Sequence, residues 1–408
     1  MSAWILGLAS DSASAWIGGV SLLLILIQLP TAALLLSRLL RGPGRLSPVE
    51  PMASTQKAMG SVSVVLPTLN EAERVEPCLE SLSRQSSNVR EILVVDSNSE
   101  DSTVDKVKAV QCRDSRFRVL QDDPLPKNWV GRPWALQTGF LNSSPQSEWI
   151  LGIDADTQLH PGLVPGLLSV AQQHRYDIVS LSPQFILKSI GEWCLQPALL
   201  MTLVYRFGPS GGSSDGSERI MANGQCFLIR RSLLSTLGGY SIAKQSFADD
   251  VTLARHAAEQ GAAVAFLDGA HVLKVRMYDG IKDTWEGWGR SLDLKDACSV
   301  EQRWGDVGFL VAVQALPILL VPLLGLAWWT GHPSPFLLGA LGLNSLLLII
   351  RFALLLAIAP SYDFSQANGQ SWSFWLSPLA DPAAVFRIFL SSMRRPTQWR
   401  NRRYDHFD

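Results

Sequence analysis

The chain has 408 residues, which at about 100–200 residues per domain allows roughly two to three units. Its 35 Lys and Arg balance 36 Asp and Glu, for a net charge of −1, which excludes a nucleic-acid binder driven by global charge and an acidic disordered chain. Hydrophobic residues reach 47% while charged residues are only 17%, so the question is whether the apolar excess is spread evenly or bunched into spans. The five cysteines are scattered without a CxxC pair, which argues against zinc or iron–sulfur sites and for reduced thiols.

The first apolar bunch is Trp16 to Leu36, an uncharged run long enough to cross a bilayer. No Lys or Arg precedes it, as a cleaved signal peptide would require. Arg38, Arg41 and Arg45 follow, so residues 1–45 read as an uncleaved anchor with everything after Arg38 in the cytoplasm. Pro30 would only kink such a helix. Residues 46–60 read as a linker.

Residues 61–300 read as a soluble α/β domain. SVSVVLP (61–67), EILVVDS (91–97), WILGIDAD (149–156) and DIVSLSPQ (177–184) are short apolar runs of the kind that form buried parallel strands. Between the first two, Val75, Leu79 and Leu82 recur at helical spacing and predict a helix over Glu71–Ser83. Such alternation implies a doubly wound sheet with its ligands at the carboxyl ends of the strands.

Three of these strands end in carboxylates. The first runs into Asn70-Glu71, the second into Asp96 and the third into Asp154-Ala155-Asp156. One acidic strand end is commonly a helix cap; three in one sheet point to a site. A nucleotide needs acceptors for base and ribose, and its diphosphate needs positive charge. Neither GxGxxG nor a Walker loop is present, so a divalent metal (Mg or Mn) is the other way to hold the diphosphate. Asp154 and Asp156, at i and i+2, would hold metal and nucleotide, with Asp96 on base or ribose. Lys127 and Arg132 are further candidates for the diphosphate.

Farther along, Trp193 to Phe207 is strongly apolar and reads either as a core helix or as one lying at the bilayer interface. GPSGGSSDG (208–216) is flexible by composition and a candidate lid over the donor. Asp249-Asp250 either caps the following helix or supplies a general base, since two adjacent carboxyls raise one pKa. Tyr278, Trp285 and Trp288 would line an acceptor site or anchor the interface.

Residues 301–360 hold two more spans, Val307–Thr330 and Phe336–Ala359, joined by a turn, with Trp328 and Trp329 at belt height. Arg351 lies inside the second, about 12 Å from its cytoplasmic end. It either snorkels or meets a polar part of a lipid-soluble substrate. In residues 361–408, the stretch Phe374–Met393 carries Asp381 and Arg387, and a tail with Arg394, Arg395, Arg400, Arg402 and Arg403 follows. Crossing there would put that tail outside, against the positive-inside rule, so the stretch reads as interfacial or re-entrant and the tail as cytosolic.

The ordered set PTLNEAERVEPCLESL, VVDSNSEDST, DAD and the later Asp249-Asp250 resembles the inverting family-2 glycosyltransferases of GT-A fold, over roughly residues 61–300. One amino-terminal span plus carboxyl-terminal spans is similar to the ceramide glucosyltransferase-like branch. LPKNWVGRPWAL and MANGQCFLIRR look more like the bacterial branch acting on isoprenoid lipids, which includes hopanoid-associated glycosyltransferases. KVRMYDG, WEGWGRSLDLKDA and the PTQWRNRRY ending resemble the cyanobacterial carotenoid 2′-O-glycosyltransferases most.

The resemblance implies an α/β fold, a GT-A (Rossmann-like mixed sheet) cytosolic domain plus transmembrane helices. It implies Glu71, Asp96, Arg132 and Asp154 on the nucleotide-sugar and Asp154 with Asp156 on a divalent metal. Asp250 would be the general base beside Asp249. Arg132 stands where relatives often have Lys and is favoured over Lys127. Relatives that build polymers or glycosylate ceramide place Gln or Arg three residues before an Arg-Trp pair; here Arg303-Trp304 has Val300 there. Arg290 is the other candidate for that role, and Arg290, Trp285, Trp288, Arg303 and Trp304 are the candidate acceptor or phosphate contacts.

The function implied is transfer of one sugar from a nucleotide-sugar donor to a lipophilic isoprenoid acceptor in the bilayer, a carotenoid 2′-hydroxyl favoured, with inversion and with the catalytic domain on the cytoplasmic side of an inner (plasma or thylakoid) membrane. The alternatives are a hopanoid-, ceramide- or glycerolipid-directed transferase and, in another class, a non-catalytic membrane scaffold retaining the fold. A polysaccharide synthase fits poorly, since three spans are few for a channel. No nucleic-acid partner is expected.

Overall fold

The computed structural model describes residues 2–40, 42–54, 58–212, 216–292, 294–331, 333–367, 369–393, 398–399 and 402–403. The chain opens with helix α1 (Ser2–Leu39). The α/β domain then runs β1 (Val62–Thr68), α2 (Val75–Ser83), β2 (Val89–Asp96), α3 (Thr103–Gln111), β3 (Phe117–Gln121), α4 (Gly131–Asn142), β4 (Trp149–Ile153), β5 (Thr157–Leu159), α5 (Leu163–His174), β6 (Ile178–Ser182), β7 (Gln184–Phe185) and α6 (Ile190–Phe207). It continues with β8 (Cys226–Arg230), α7 (Arg231–Thr236), α8 (Asp249–Glu259), β9 (Val264–Asp268), β10 (Leu273–Val275) and α9 (Gly280–Ser291). Helices α10 (Val300–Leu310), α11 (Leu316–Trp329), α12 (Pro335–Ile358) and α13 (Asp381–Met393) follow.

The main sheet has seven strands in the order β3-β2-β1-β4-β8-β6-β9. The four apolar runs legible in the sequence are β1, β2, β4 and β6, buried on both faces as helix-covered strands should be. The sheet is mixed: β8 runs antiparallel to both β4 and β6, while β6 pairs parallel with β9. A smaller sheet, β5-β10-β7, lies beside it. Gly139 lets α4 lie close on β1, where a Cβ would come within 2.2 Å of Val65 Cγ1. The predicted helix over Glu71–Ser83 starts only at Val75, because Asn70 turns left-handed (φ 54°) and residues 72–74 form turns.

Among the described residues three helical segments are long and apolar enough to cross a membrane: Ser14–Leu39, Val300–Trp329 and Pro335–Ser361. The second begins seven residues before the apolar run does, because α10 continues through a π-helical turn at Val311–Ala315 into α11. Trp329 is 87% exposed at the end of α11, as a residue of an aromatic belt would be.

Helix α13 has 13 residues, roughly 20 Å, too short to span. A 3₁₀ segment, Ser371–Ala380, leads into it and leaves Trp372, Trp375 and Leu379 exposed. Helix α6 belongs to the core: it packs Trp193, Leu199 and Tyr205 in one cluster with Leu310 of α10, Leu347 of α12 and Ile388 of α13. Arg351 does not snorkel. It is 2% exposed and paired with Asp381, because the chain after α12 folds back and supplies a carboxylate at that depth.

Two expectations meet the boundary of the described residues. In the 208–216 loop, residues 213–215 lie outside them; Gly211, which lies within, is tied to the carbonyl of Phe266 and the amide of Leu46. The basic tail lies outside them apart from the pairing of 398–399 with 402–403.

Candidate active site

A cavity of about 260 Å³ opens at the carboxyl ends of β1 and β4. It brings together Glu71, Arg132, Asp154, Asp156, Asp249, Asp250, Trp288 and Arg290. Each is delivered by the end of an element. Glu71 follows β1, Asp154 and Asp156 follow β4, Arg132 is in the first turn of α4, Asp249 and Asp250 are in the first turn of α8, and Trp288 and Arg290 lie on α9.

Arg132 is the hub. Its Nε donates to Asp154 Oδ1 at 3.0 Å, its Nη1 donates to Asp249 Oδ2 at 2.5 Å, and its Nη2 donates to the carbonyl of Gly224 at 2.8 Å. The fork geometry of the guanidinium thus ties β4 to α8 across the cavity floor. Gly224 lies so close to Arg132 that a Cβ there would be 2.2 Å from Nη2. Lys127, by contrast, is exposed and away from the cavity.

Asp249 and Asp250 do not cap α8. The capping residue is Ala248, with no side-chain cap bond, so the two carboxylates are free to face the cavity. Asp250 Oδ2 accepts from the backbone N–H of Gly224 at 2.5 Å, and Oδ1 accepts from the N–H of Val251 at 2.8 Å. Burial pushes the Asp250 carboxyl up to about 7 and the charge of Asp249 pushes the same way; Arg132 and the two amides hold it from rising further. A carboxyl poised there exchanges a proton near neutral pH.

The remaining candidates are placed elsewhere. Asp96 is 2% exposed and does not line the cavity. Its oxygens accept from the hydroxyls of Thr68 (3.1 Å) and Ser99 (2.6 Å) and from the Ser99 N–H (2.9 Å), so it shapes the loop after β2. Trp285 packs under the guanidinium of Arg387, 5.4 Å from the ring centroid. Trp304 meets Phe389 edge-on, and with Arg303 it lies on α10, off the cavity wall. Of the two candidate arginines, the cavity includes Arg290.

Two charged residues of the wall, Arg74 and Asp283, escaped the sequence. Arg74 lines it and donates to the carbonyl of Met277 at 2.9 Å; its place in the PTLNEAER stretch is the only signal. Asp283 lines it from the first turn of α9, beside Tyr278, which the sequence marks for the acceptor site. Phe185, Leu200, Leu203, Met277 and Trp288 make one side of the cavity apolar, and Leu200 and Leu203 come from α6, the helix that packs on the membrane segments.

No group of three or more ligating side chains gathers among the described residues. Two carboxylates, Asp154 and Asp156, share the cavity. An oxygen set of one or two carboxylates is what a hard divalent cation uses when substrate phosphates and water complete its shell, so the donor set fits that cation and not an all-protein cage.

Residues 63–238 match the profile described as "Glycosyl transferase family 2". Over residues 63–238 the chain is therefore similar to the family-2 glycosyl transferases, on a GT-A fold, and this domain is joined to three apolar helices of membrane-crossing length. It is similar to the 4,4′-diaponeurosporenoate glycosyltransferase of Staphylococcus haemolyticus (27% identical over 235 residues, 57% of this chain and 61% of that one). It is also similar to the undecaprenyl-phosphate 4-deoxy-4-formamido-L-arabinose transferase of Serratia proteamaculans (33% over 123 residues, 29% and 35% of the two chains). The match thus spans 61% of the length of the first relative. Among solved structures, the mannosyltransferase PcManGT of Pyrobaculum calidifontis, in complex with GDP-Man and Mn2+, superposes with a TM-score of 0.51 at 16% identity, covering 92% of this chain and 99% of that one; this likeness shows the fold.

Proposed function

We propose that the protein transfers one sugar from a nucleotide-sugar to a hydroxyl of a lipophilic isoprenoid, a carotenoid hydroxyl favoured, with inversion at the anomeric carbon. The observation that carries this reading is the pairing of opposites in one cavity: the carboxyl of Asp250, held by the Gly224 and Val251 amides, and apolar residues that include Leu200 and Leu203 of the helix that packs on the membrane segments.

Asp250 is the general base. It accepts the proton of the acceptor hydroxyl as that oxygen bonds to the anomeric carbon, while the bond from that carbon to the diphosphate breaks and the nucleoside diphosphate leaves. Attack from the face opposite the nucleotide inverts the centre. Gly224 N–H and Val251 N–H hold the carboxylate in place. Arg132 positions Asp154 and Asp249 and adds positive charge where the leaving diphosphate gains negative charge. Asp154 and Asp156 would hold a divalent metal, which supplies charge stabilisation to the leaving diphosphate when bound. Glu71 faces the donor side, and Asp96 acts by setting the loop beside it.

The two relatives named above carry lipid-like acceptors in their names, which supports a membrane-dissolved acceptor here. Arg38, at the end of α1, supports a catalytic domain on the cytoplasmic side by the positive-inside rule. The deciding experiment is lipid and pigment profiling of a strain lacking the gene. Loss of a glycosylated carotenoid with accumulation of its aglycone is the expected result. An unchanged pigment profile with altered hopanoids or glycolipids would replace the acceptor class.

A further inference from the structure

Away from the cavity, three arginines gather where α6 ends, beside α8 and the start of α10. Arg206 and Arg255 are 5% and 3% exposed, and their guanidinium carbons lie 5.0 and 5.6 Å from the centroid of the same ring, Phe207. Arg219 joins them, its Nη1 donating to the carbonyl of Arg206 at 3.4 Å and to Asp306 Oδ1 at 3.0 Å.

Among the described residues, one ion pair serves the three guanidinium groups: Asp306 is its carboxylate, and it is already held by Arg219. Arg206 uses Nε on the carbonyl of Thr202. Arg255 uses Nε on the carbonyl of Ile220, and Nη1 on the carbonyl of Ala297 and the sulfur of Cys298. In both residues Nη2 is buried and has no hydrogen-bond partner among the described residues. Burial, together with the repulsion of Arg255 and Arg219, lowers the Arg206 guanidinium to about 10 despite Asp306. An unpaired buried guanidinium is costly, and two side by side are more so.

The place of the cluster says what would balance it. Asp306 lies on α10, in the first turns of the segment Val300–Trp329, and Arg38 at the end of α1 donates to the carbonyl of Tyr205 at 2.9 Å, one residue before Arg206. The cluster therefore lies beside the ends of two segments long and apolar enough to cross a membrane, the level at which headgroups would lie. Guanidinium groups recognise phosphate with paired donors, and anionic headgroups are the phosphates concentrated at that level.

We infer that Arg206, Arg219 and Arg255 form a binding site for a phosphate group, supplied by the headgroup of an anionic phospholipid, separate from the donor site. Arg255 lies on α8, five residues after Asp250, so an occupied site braces the helix that carries the proposed base.

The test uses the full-length protein in nanodiscs of phosphatidylcholine, with or without phosphatidylglycerol, and reads the unfolding temperature and the lipid retained in native mass spectrometry. Phosphatidylglycerol is expected to raise the unfolding temperature and to be retained by the wild type. R206Q and R255Q should lose both effects. R219Q, at a partly exposed side chain, should weaken them in a protein that still folds, and the control R113Q, on the far side of the domain, should keep them. Equal unfolding temperatures in the two lipids, or an R219Q protein with the full shift and full retention, would overturn the site. A shift produced by inorganic phosphate in phosphatidylcholine discs and not by phosphatidylglycerol would overturn the lipid as its source.

Discussion

Arg351 of α12 and Asp381, the first residue of α13, are joined by two hydrogen bonds, 2.7 Å from Nε to Oδ2 and 3.0 Å from Nη2 to Oδ1. The pair is 2% and 1% exposed. Ser377 and Gln314 complete the group, Gln314 linking Asp381 to the carbonyl of Ala198 on α6. One ion pair thus pins α13 to α12 and, through Gln314, to α6 of the catalytic domain. Removing one partner leaves a buried charge uncompensated, so R351M and D381L should each lose about 3–5 kcal/mol. The double variant R351M/D381L should recover most of that loss. Thermal unfolding in detergent measures it; a double variant no more stable than either single one would contradict the account.

Gln28 of α1 and Asn344 of α12 exchange amide hydrogen bonds, 3.0 Å one way and 2.8 Å the other, and Gln28 also donates to the carbonyl of Ala312 in the π-helical turn at 2.9 Å. Interhelical bonds of this kind are worth about 0.6 kcal/mol on average and about 1.7 at most. Q28L and N344L are each expected to lower stability within that range, and the double variant by less than their sum, because both remove the same pair. Full additivity in a double-mutant cycle would mean that the two amides do not interact.

How much of this was legible in the sequence depends on how local the signal is. The strands β1, β2 and β4 are apolar runs ending in carboxylates, and the ends of β1 and β4 meet at one cavity with Asp249 and Asp250, while Asp96 at the end of β2 lies off it. The antiparallel sense of β8 has no such signal, since CFLIR reads the same in either direction. The partner of Arg351 lies 30 residues away, and no periodicity links the two, so the choice between snorkelling and substrate contact omitted the arrangement that forms. The apolar run in α6 was equally consistent with core and interface; packing against α10, α12 and α13 decides for core. The loop role of Asp96 depends on Thr68 and Ser99 folding over it, which strand-end position alone does not reveal.

Gly224 gives a way to move Arg132 without deleting its charge. A Cβ at position 224 would come within 2.2 Å of Nη2 and 2.7 Å of Cζ, so G224A must push the guanidinium away from Asp154 and Asp249. A displacement of about 1 Å at a reacting centre can cost about 10²-fold in rate. G224A should therefore lose about that factor in kcat while its unfolding temperature changes little. R132K, which keeps a charge but not the fork, should fall in the same range. Steady-state transfer assays alongside thermal unfolding separate the two effects; a G224A enzyme with wild-type turnover would remove Arg132 from the proposed chemistry.

The pH profile tests the base itself. Asp250 has a pKa of about 7, so below that pH it is protonated and cannot accept the acceptor proton; the rate should rise about tenfold per pH unit up to about 7 and level off above it. The neighbours set the direction of any shift. Asp249 raises the Asp250 value, so D249N should move the limb to lower pH. Arg132 lowers it, so R132Q should move the limb to higher pH. D250N should lose the limb altogether, with turnover down by about 10²–10⁴-fold and donor binding retained. The opposite signs expected for D249N and R132Q follow from the opposite charges of the two neighbours. Profiles of kcat against pH for the four proteins decide the matter, and shifts in the same direction for D249N and R132Q would assign the limb to a different group.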